Sequence, residues 1–330
     1  MDFGSILNNA AANVLGIDTL VFCLAAIGLN VHFGYTGLLN FGQAAFVAMG
    51  AYGVGITVAY LDQPLWVGFL VGLAAATVLA LLLGIPTLRL RADYLAIATI
   101  ATAEIWRFVA RSSAADEWTG GSNGINGMAR DFYAANPFPS GSYGFGPWTY
   151  SERGLWIRVF AVLLIALSLL VVWLLVRSPW GRVLKGIRED EDAVRSLGKN
   201  IFAYKMQALV LGGVIGALAG FVLSLSRGSV QPDNYATQLT FLAYTALLLG
   251  GAARLWGPVL GAVILWVTLS LTDTILRGAV GAGYIPTWLM DGVQVGQFRF
   301  ILVGLALMLL MAFRPQGILG DRRELVLDAR

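Results

Sequence analysis

Long apolar runs recur along the chain, separated by charged, polar or Pro/Gly-rich connections. A helix needs about 20 apolar residues to cross the hydrocarbon core of a bilayer, and the pattern accordingly predicts nine membrane-spanning helices. Eight or ten spans also fit, because the glycine-rich stretch 31–60 can accommodate a re-entrant piece. The nine predicted spans are 14–33, 38–60, 65–88, 92–111, 156–176, 205–226, 237–253, 257–276 and 298–313.

The composition supports the same interpretation. Apolar residues make up 58% of the 330 residues and charged residues only 12%, against roughly 25% charged residues in a soluble domain. This composition argues against both a soluble enzyme and a disordered chain. We therefore expect an all-α, polytopic transmembrane helical bundle that forms one domain over residues 1–330.

The distribution of basic residues sets the expected orientation. The connection 177–205 contains seven Lys or Arg residues and the tail 314–330 contains four, and cytoplasmic connections are enriched in Lys and Arg. The N-terminus is therefore expected outside and the C-terminus in the cytoplasm, which nine spans also require. Residues 1–18 contain no Lys or Arg, so the first apolar segment is interpreted as a retained helix rather than a cleaved signal peptide.

Two long connections stand out. The external loop 112–155 is either a cover packed on the membrane surface or a docking surface for an external partner. The cytoplasmic loop 177–205 predicts one amphipathic helix, or two, over 182–197, from the spacing of Val183, Leu184, Ile187, Val194 and Leu197. The four acidic residues 189–192 favour a protein partner over an anionic lipid surface for this loop.

Polar residues inside the spans are few and are candidates for a translocation path. Asn40 and Gln43 share a helical face, and Glu104 lies on a face with Arg107. Each has a plain structural reading as well: an interhelical hydrogen bond for the two amides, and a local ion pair for Glu104. Glycines spaced by four, such as Gly212 and Gly216, indicate close helix packing in lipid.

No chemistry-bearing motif is present in the sequence. There is one cysteine (Cys23) and one histidine (His32), so neither a disulfide nor a multi-histidine metal site is expected. A phosphate-binding loop, a zinc-protease motif and a serine-nucleophile motif are all absent from the sequence. We expect no catalytic activity, no cofactor and no nucleic-acid partner. A channel, a secondary carrier and a permease driven by a separate ATPase remain open.

Several stretches, taken together and in order over residues 20–320, resemble the branched-chain amino acid ABC transporter permease family. They run from 34–46 with 50–52, through 89–97, 103–105 and 119–125, to 178–182, 187–191 and 197–205, and finally 250–262 and 314–320. The stretch 191–198 also resembles the loop of import permeases that docks on the ATPase, although Asp192 stands where alanine is usual.

The resemblance implies one membrane half of a bacterial importer in the inner membrane. It implies a second related permease subunit, two ATPase subunits and an extracytoplasmic substrate-binding protein as partners. The implied ATPase-coupling residues are Arg188, Glu189, Asp190, Glu191, Asp192, Ala193, Leu197 and Gly198. The four candidate path residues are Asn40, Gln43, Thr102 and Glu104. Urea, short amides and other amino acids are alternative substrates within the same family.

Overall fold

The computed structural model describes residues 3–90, 92–281, 292–314 and 316–320, and within them the fold is all-α as expected. The helices are α1 (Phe3–Val14), α2 (Ile17–Leu29), α3 (Gln43–Ala59), α4 (Leu65–Thr87), α5 (Ala92–Arg111), α6 (Asp116–Thr119), α7 (Arg130–Ala134), α8 (Glu152–Arg177), α9 (Pro179–Glu189), α10 (Glu191–Ser196), α11 (Ile201–Arg227), α12 (Thr237–Gly250), α13 (Gly257–Gly281) and α14 (Gly292–Phe313). A π-helical segment, Asn30–Tyr35, continues α2.

Each of the nine predicted spans overlaps one of these helices, and α8, α11, α13 and α14 extend beyond the predicted limits. Five segments of the described chain are long and apolar enough to cross a membrane: Ile17–Tyr35, Leu65–Thr87, Glu152–Arg177, Ile201–Arg227 and Gly257–Gly281. Helix α3 is apolar but has only 17 residues, and α12 has 14. The all-α membrane fold is therefore supported, while the count of nine spans stays a prediction.

Helix α1 is an element that the apolar pattern did not predict. Its 12 residues extend about 18 Å, which is short of the roughly 30 Å hydrocarbon core. It packs against α13, and the Trp148 indole donates a 2.9 Å hydrogen bond to the Ala11 carbonyl. Helix α1 is thus held to the bundle from two sides.

Helix α2 lies at the centre of the bundle, since its residues from Thr19 to Leu29 are all buried. It packs against α11, α13, α12 and α8. Its contact with α11 is backbone to backbone: a Cβ atom added to Gly28 would lie 2.5 Å from the Gly212 carbonyl oxygen. Glycine spacing in the sequence therefore marks a true close approach of two helices.

Loop 112–155 packs on one end of the bundle, here named the loop end. Strand β1 (Ile125–Asn126) and strand β4 (Ser229–Val230) form an antiparallel pair, as do β2 (Ser142–Tyr143) and β3 (Tyr150–Ser151). Phe132 is buried, and its carbonyl accepts a 2.9 Å hydrogen bond from the Trp156 indole of α8. The loop therefore packs on helices of the bundle, while a cover on the membrane surface and a docking surface both stay predictions.

The opposite end, named the α9–α10 end, contains α9, α10 and the start of α11. The segment after α14 also reaches it, because the amides of Ile318 and Leu319 donate to the carbonyls of Leu249 and Gly250. Three of the tail arginines used for the expected orientation, Arg322, Arg323 and Arg330, lie outside the described residues.

Candidate functional site

The candidate coupling loop folds as two helices with a sharp junction. Pro179 suits the first turn of α9 because its missing N–H has no partner there in any helix. Asp190 takes an extended conformation that ends α9. Its carboxylate then accepts hydrogen bonds from the amides of Asp192 (2.9 Å) and Ala193 (3.0 Å) and so caps α10.

One face of the helix pair packs inward. Leu184, Ile187 and Val194 are buried, as the apolar spacing predicts. Leu197, which the same spacing placed with them, is 78% exposed. The reason is that α10 ends at Ser196 and the chain turns at Gly198, whose φ is +74°.

Two polar contacts tie the pair to the bundle. The Arg188 guanidinium donates a 2.6 Å hydrogen bond to the Gly34 carbonyl in the π-helical segment. Glu191 forms an ion pair with the largely buried Lys205 at the start of α11. These contacts connect α9 and α10 to the π-helical segment that continues α2 and to the start of α11.

Exposed residues of both charges cover the outward side of the pair, with Arg182, Lys185 and Arg195 beside the acidic residues. We name the acidic and apolar patch at the α9–α10 junction, residues 189, 190, 192, 193 and 197, the coupling surface. Glu189, Asp190, Asp192 and Ala193 are exposed beside Leu197. The Asp192 side chain is 87% exposed while it pairs with Arg195 at 2.7 Å. Nothing in the described part of the chain lies within 4 Å of a Cβ placed on Gly198.

The second candidate region is the non-helical segment 36–42 between the π-helical segment and α3. Non-helical backbone at membrane depth needs partners from the protein, and here side chains supply them. The Phe41 amide donates to the Thr99 hydroxyl of α5, and the Ala44 amide donates to the Thr240 hydroxyl of α12, both at 2.9 Å. The Tyr244 hydroxyl donates to the Asn40 carbonyl at 3.0 Å.

Asn40 is fully buried and joins this segment to the only histidine. Its Oδ1 accepts from the Gly42 amide, and its Nδ2 lies 2.9 Å from Nδ1 of His32. Nε2 of His32 lies 3.0 Å from the Leu209 carbonyl oxygen. A carbonyl only accepts, so Nε2 carries the proton and Nδ1 accepts from Asn40. The sequence offered no sign of this pairing.

Gln43 fills a slot made by glycines. A Cβ added to Gly28 or to Gly216 would lie 2.6 Å from its Nε2 atom. That atom donates to the carbonyls of Ala25 and Gly212 at 3.4 Å, and its Oε1 accepts from Asn40, also at 3.4 Å. These long hydrogen bonds agree with the structural interpretation, in which the two amides bond between helices. That Asn40 and Gln43 line a translocation path stays a prediction.

Glu104 lies at the loop end of α5 in a charged network. It forms a 2.7 Å ion pair with Arg107, which also contacts Asp233 at 3.0 Å. Its other carboxylate oxygen accepts from the amide of Thr237 at 3.1 Å and from the Thr237 hydroxyl. The local pair that the sequence suggested is therefore part of a link between α5 and α12.

Thr102, the remaining candidate path residue, is half-buried on α5. Its hydroxyl donates a hydrogen bond to the Ala98 carbonyl one turn earlier, which stays within α5. Thr99, three residues before it, makes the cross-helix contact instead. Sequence reasoning missed Thr99, Thr240 and Tyr244, because ordinary hydroxyl residues in apolar runs carry no pattern that marks them.

Comparison with known proteins agrees with this architecture. The family described as "Branched-chain amino acid transport system / permease component" matches residues 12–313. In the described residues, no group of three or more His, Cys, Asp or Glu side chains is placed to hold a metal ion.

Individual relatives extend the match. The chain is 31% identical to the "High-affinity branched-chain amino acid transport system permease protein LivM" of Salmonella typhimurium, over 92% of this chain and 69% of that protein. It is 28% identical to the "Probable branched-chain amino acid transport permease protein LivM" of Methanocaldococcus jannaschii, over 92% and 91%. Over 33% of its length it is also 31% identical to the "Autoinducer 2 import system permease protein LsrC" of Photorhabdus laumondii. With its apolar helices and the match over 12–313, the chain is a multi-pass membrane protein and belongs to the branched-chain amino acid transport permease family.

Proposed function

We propose that this chain is the membrane permease subunit of a bacterial ABC importer that carries branched-chain amino acids across the inner membrane. The observation that carries the proposal is the coupling surface: acidic and apolar groups stand outward on α9 and α10, while Arg188 and Glu191 fix the pair to the bundle. The family of transport permeases supplies the context.

The proposed orientation places the α9–α10 end in the cytoplasm and the loop end outside. Seven basic residues in 177–205 support it, because cytoplasmic connections carry the excess of Lys and Arg. Nine spans would then put the N-terminus outside and the C-terminus in the cytoplasm.

The proposed mechanism is ATP-driven alternating access. Two separate ATPase subunits would bind the coupling surfaces of this chain and of a second, related permease. Their closure on ATP would move α9 and α10, and the Arg188–Gly34 and Glu191–Lys205 contacts would pass that movement to the π-helical segment and to α11. An extracytoplasmic binding protein would deliver the substrate at the loop end.

A crevice of about 500 Å³ at the loop end supports the substrate class. Its wall includes the apolar side chains of Phe22, Leu239 and Trp266, and its charged lining residues are Asp18, Asp233, Asp273 and Arg227. An apolar wall beside groups of both charges suits a zwitterion with an aliphatic side chain. Urea and short amides lack the aliphatic part and fit this crevice less well.

Binding of the ATPase subunits to purified variants tests the proposal. We expect Leu197→Asp to abolish binding, because it replaces the exposed apolar side chain of the coupling surface with a charge, whereas Phe145→Asp at the loop end, 75% exposed, leaves binding intact. Unchanged ATPase binding and stimulation by the Leu197→Asp chain would refute the docking role.

A further inference from the structure

A cavity of about 820 Å³ opens at the α9–α10 end. It lies between the end of α4, the start of α5 and the junction of α10 with α11. Four basic side chains line it, with one acidic side chain among them: Arg89, Arg195, Lys199 and Lys205 with Glu191. Its electrostatic potential is therefore positive.

Within the described residues, two of these cations have no acidic partner. Lys205 pairs with Glu191, and Arg195 pairs with Asp192. No carboxylate in the described part of the chain pairs with Arg89 or Lys199. The Arg89 guanidinium lies over the Phe202 ring, 5.7 Å from its centroid, which leaves its charge available to an anion in the cavity.

The other side of the cavity is apolar. Leu88 and Leu90 follow α4, and Leu95 lies in the first turns of α5. These positions are helix ends, where the chain leaves the apolar spans, and Leu90 is 47% exposed. The cavity thus presents a hydrocarbon-like wall and a basic rim side by side.

The acidic residues of the coupling surface do not enter this cavity. Glu189, Asp190 and Asp192 do not line it. Of the acidic run 189–192, only Glu191 lines the cavity, where it is paired with Lys205. The other three acidic residues therefore do not oppose an anion site there.

We propose that this cavity binds the headgroup phosphate of an anionic phospholipid from the cytoplasmic leaflet. Arg89 and Lys199 would contact the phosphate, and the first part of an acyl chain would lie along the leucine wall. Basic pockets between helices on the cytoplasmic side are suited to such headgroups. The inference rests on the proposed membrane orientation, and it requires neither a particular substrate nor ATP coupling.

Lipid binding to the purified full-length chain in detergent tests this site, with native mass spectrometry as the readout. The probes are phosphatidylglycerol, phosphatidylcholine and inorganic phosphate. We expect one saturable phosphatidylglycerol site and no comparable phosphatidylcholine binding. The double variant Arg89→Gln with Lys199→Gln should weaken that site by about 10- to 30-fold, because each cation near a lipid headgroup contributes modestly.

The matched control is Arg182→Gln with Lys185→Gln, which removes two exposed cations of α9 that do not line the cavity. It should bind phosphatidylglycerol like the parent chain. Equal weakening by both double variants would show that the lipid is attracted to the basic surface in general and not to this cavity. Saturation of the site by inorganic phosphate alone would show that the ligand is a free anion and not a lipid. Each result overturns the proposal.

If the double variant fails to fold, the single changes Arg89→Gln and Lys199→Gln serve in its place. Each should weaken phosphatidylglycerol binding by about three- to fivefold, and no weakening by either would also overturn it. Because the assay measures neither transport nor ATP hydrolysis, its failure is distinct from a failure of the proposed importer function.

Discussion

Glu104 of α5 accepts a 3.1 Å hydrogen bond from the backbone amide of Thr237, the first residue of α12. The residue before Thr237 is Ala236, which has no side-chain acceptor to cap the helix. The Glu104 carboxylate therefore caps α12 from a neighbouring helix. It also places a negative charge at the N-terminus of α12, where such a charge is stabilising. The contact also joins the loop ends of α5 and α12.

We expect Glu104→Gln to destabilise the chain by about 1–2 kcal/mol, because the ion pair with Arg107 and the negative charge at the start of α12 are lost while one acceptor oxygen remains for Thr237. Among the described residues, the Arg107 guanidinium would keep its ion pair with Asp233. Thermal unfolding in detergent checks this, with Glu117→Gln as the control, since Glu117 is exposed in loop 112–155. Equal melting temperatures for the two variants would contradict the capping role.

Two threonines on α5 give a matched pair. Thr99→Val removes the acceptor of the Phe41 amide in segment 36–42, and an unsatisfied buried amide costs about 1–3 kcal/mol. Thr102→Val removes only a bond to Ala98 within the helix, so a change below about 0.5 kcal/mol is expected. A larger loss of thermal stability for Thr102→Val than for Thr99→Val would argue against the role of Thr99.

Gly212→Ala should prevent normal packing of α2 on α11. The added Cβ would lie 2.5 Å from the Gly28 carbonyl oxygen and would also meet the His32 ring, and overpacking costs about 1–3 kcal/mol. Gly296→Ala in α14 is the control, because the described residues leave open space there. We expect poor recovery of monodisperse protein for Gly212→Ala only. Equal recovery of both variants would show that the close approach of α2 and α11 is not needed for folding.

Arg188→Ala tests transmission rather than docking. The variant loses the hydrogen bond to the Gly34 carbonyl, while the coupling surface on the other side of α9 and α10 is unchanged. We expect the ATPase subunits to bind and hydrolyse ATP, with fewer substrate molecules moved per ATP. Arg182→Ala, at an exposed position of α9, should keep the normal ratio. A normal ratio for Arg188→Ala would remove this contact from the coupling route.

Gln43→Leu separates the two roles open to that residue. If Gln43 faces the translocation path during the transport cycle, uptake should fall while the subunits still assemble, because the amide is lost and the volume is nearly kept. Uptake and assembly are measured on the same preparation. Normal uptake with a lowered melting temperature would make the Gln43 contacts to Ala25 and Gly212 purely structural.

The helices and their approximate limits follow from the sequence because an apolar run of about 20 residues has few alternatives to a buried or membrane helix. The break at 36–42 does not follow, since it depends on Thr99, Thr240 and Tyr244, which lie 58 to 204 residues away along the chain from their partners. Asn40 and Gln43 could be identified as costly polar groups, but their partners could not.

In the loop 177–205, too, some features could be predicted from the sequence and others could not. The spacing of Leu184, Ile187 and Val194 was enough to predict their inward face, which the structure places in the core. The exposure of Leu197 depends on where α10 stops, and single-residue helix ends are beyond a periodicity argument. The contact of Arg188 with Gly34 joins positions 154 residues apart, so no local pattern could indicate it.

Uptake into liposomes tests the importer proposal most directly. The chain is reconstituted with a second permease subunit and the ATPase subunits, and labelled leucine is supplied with the binding protein. The account predicts leucine uptake that requires ATP hydrolysis and every one of these partners, with no uptake by the chain alone. Leucine uptake by the chain alone without nucleotide, or ATP-driven uptake of urea in place of leucine, would contradict it.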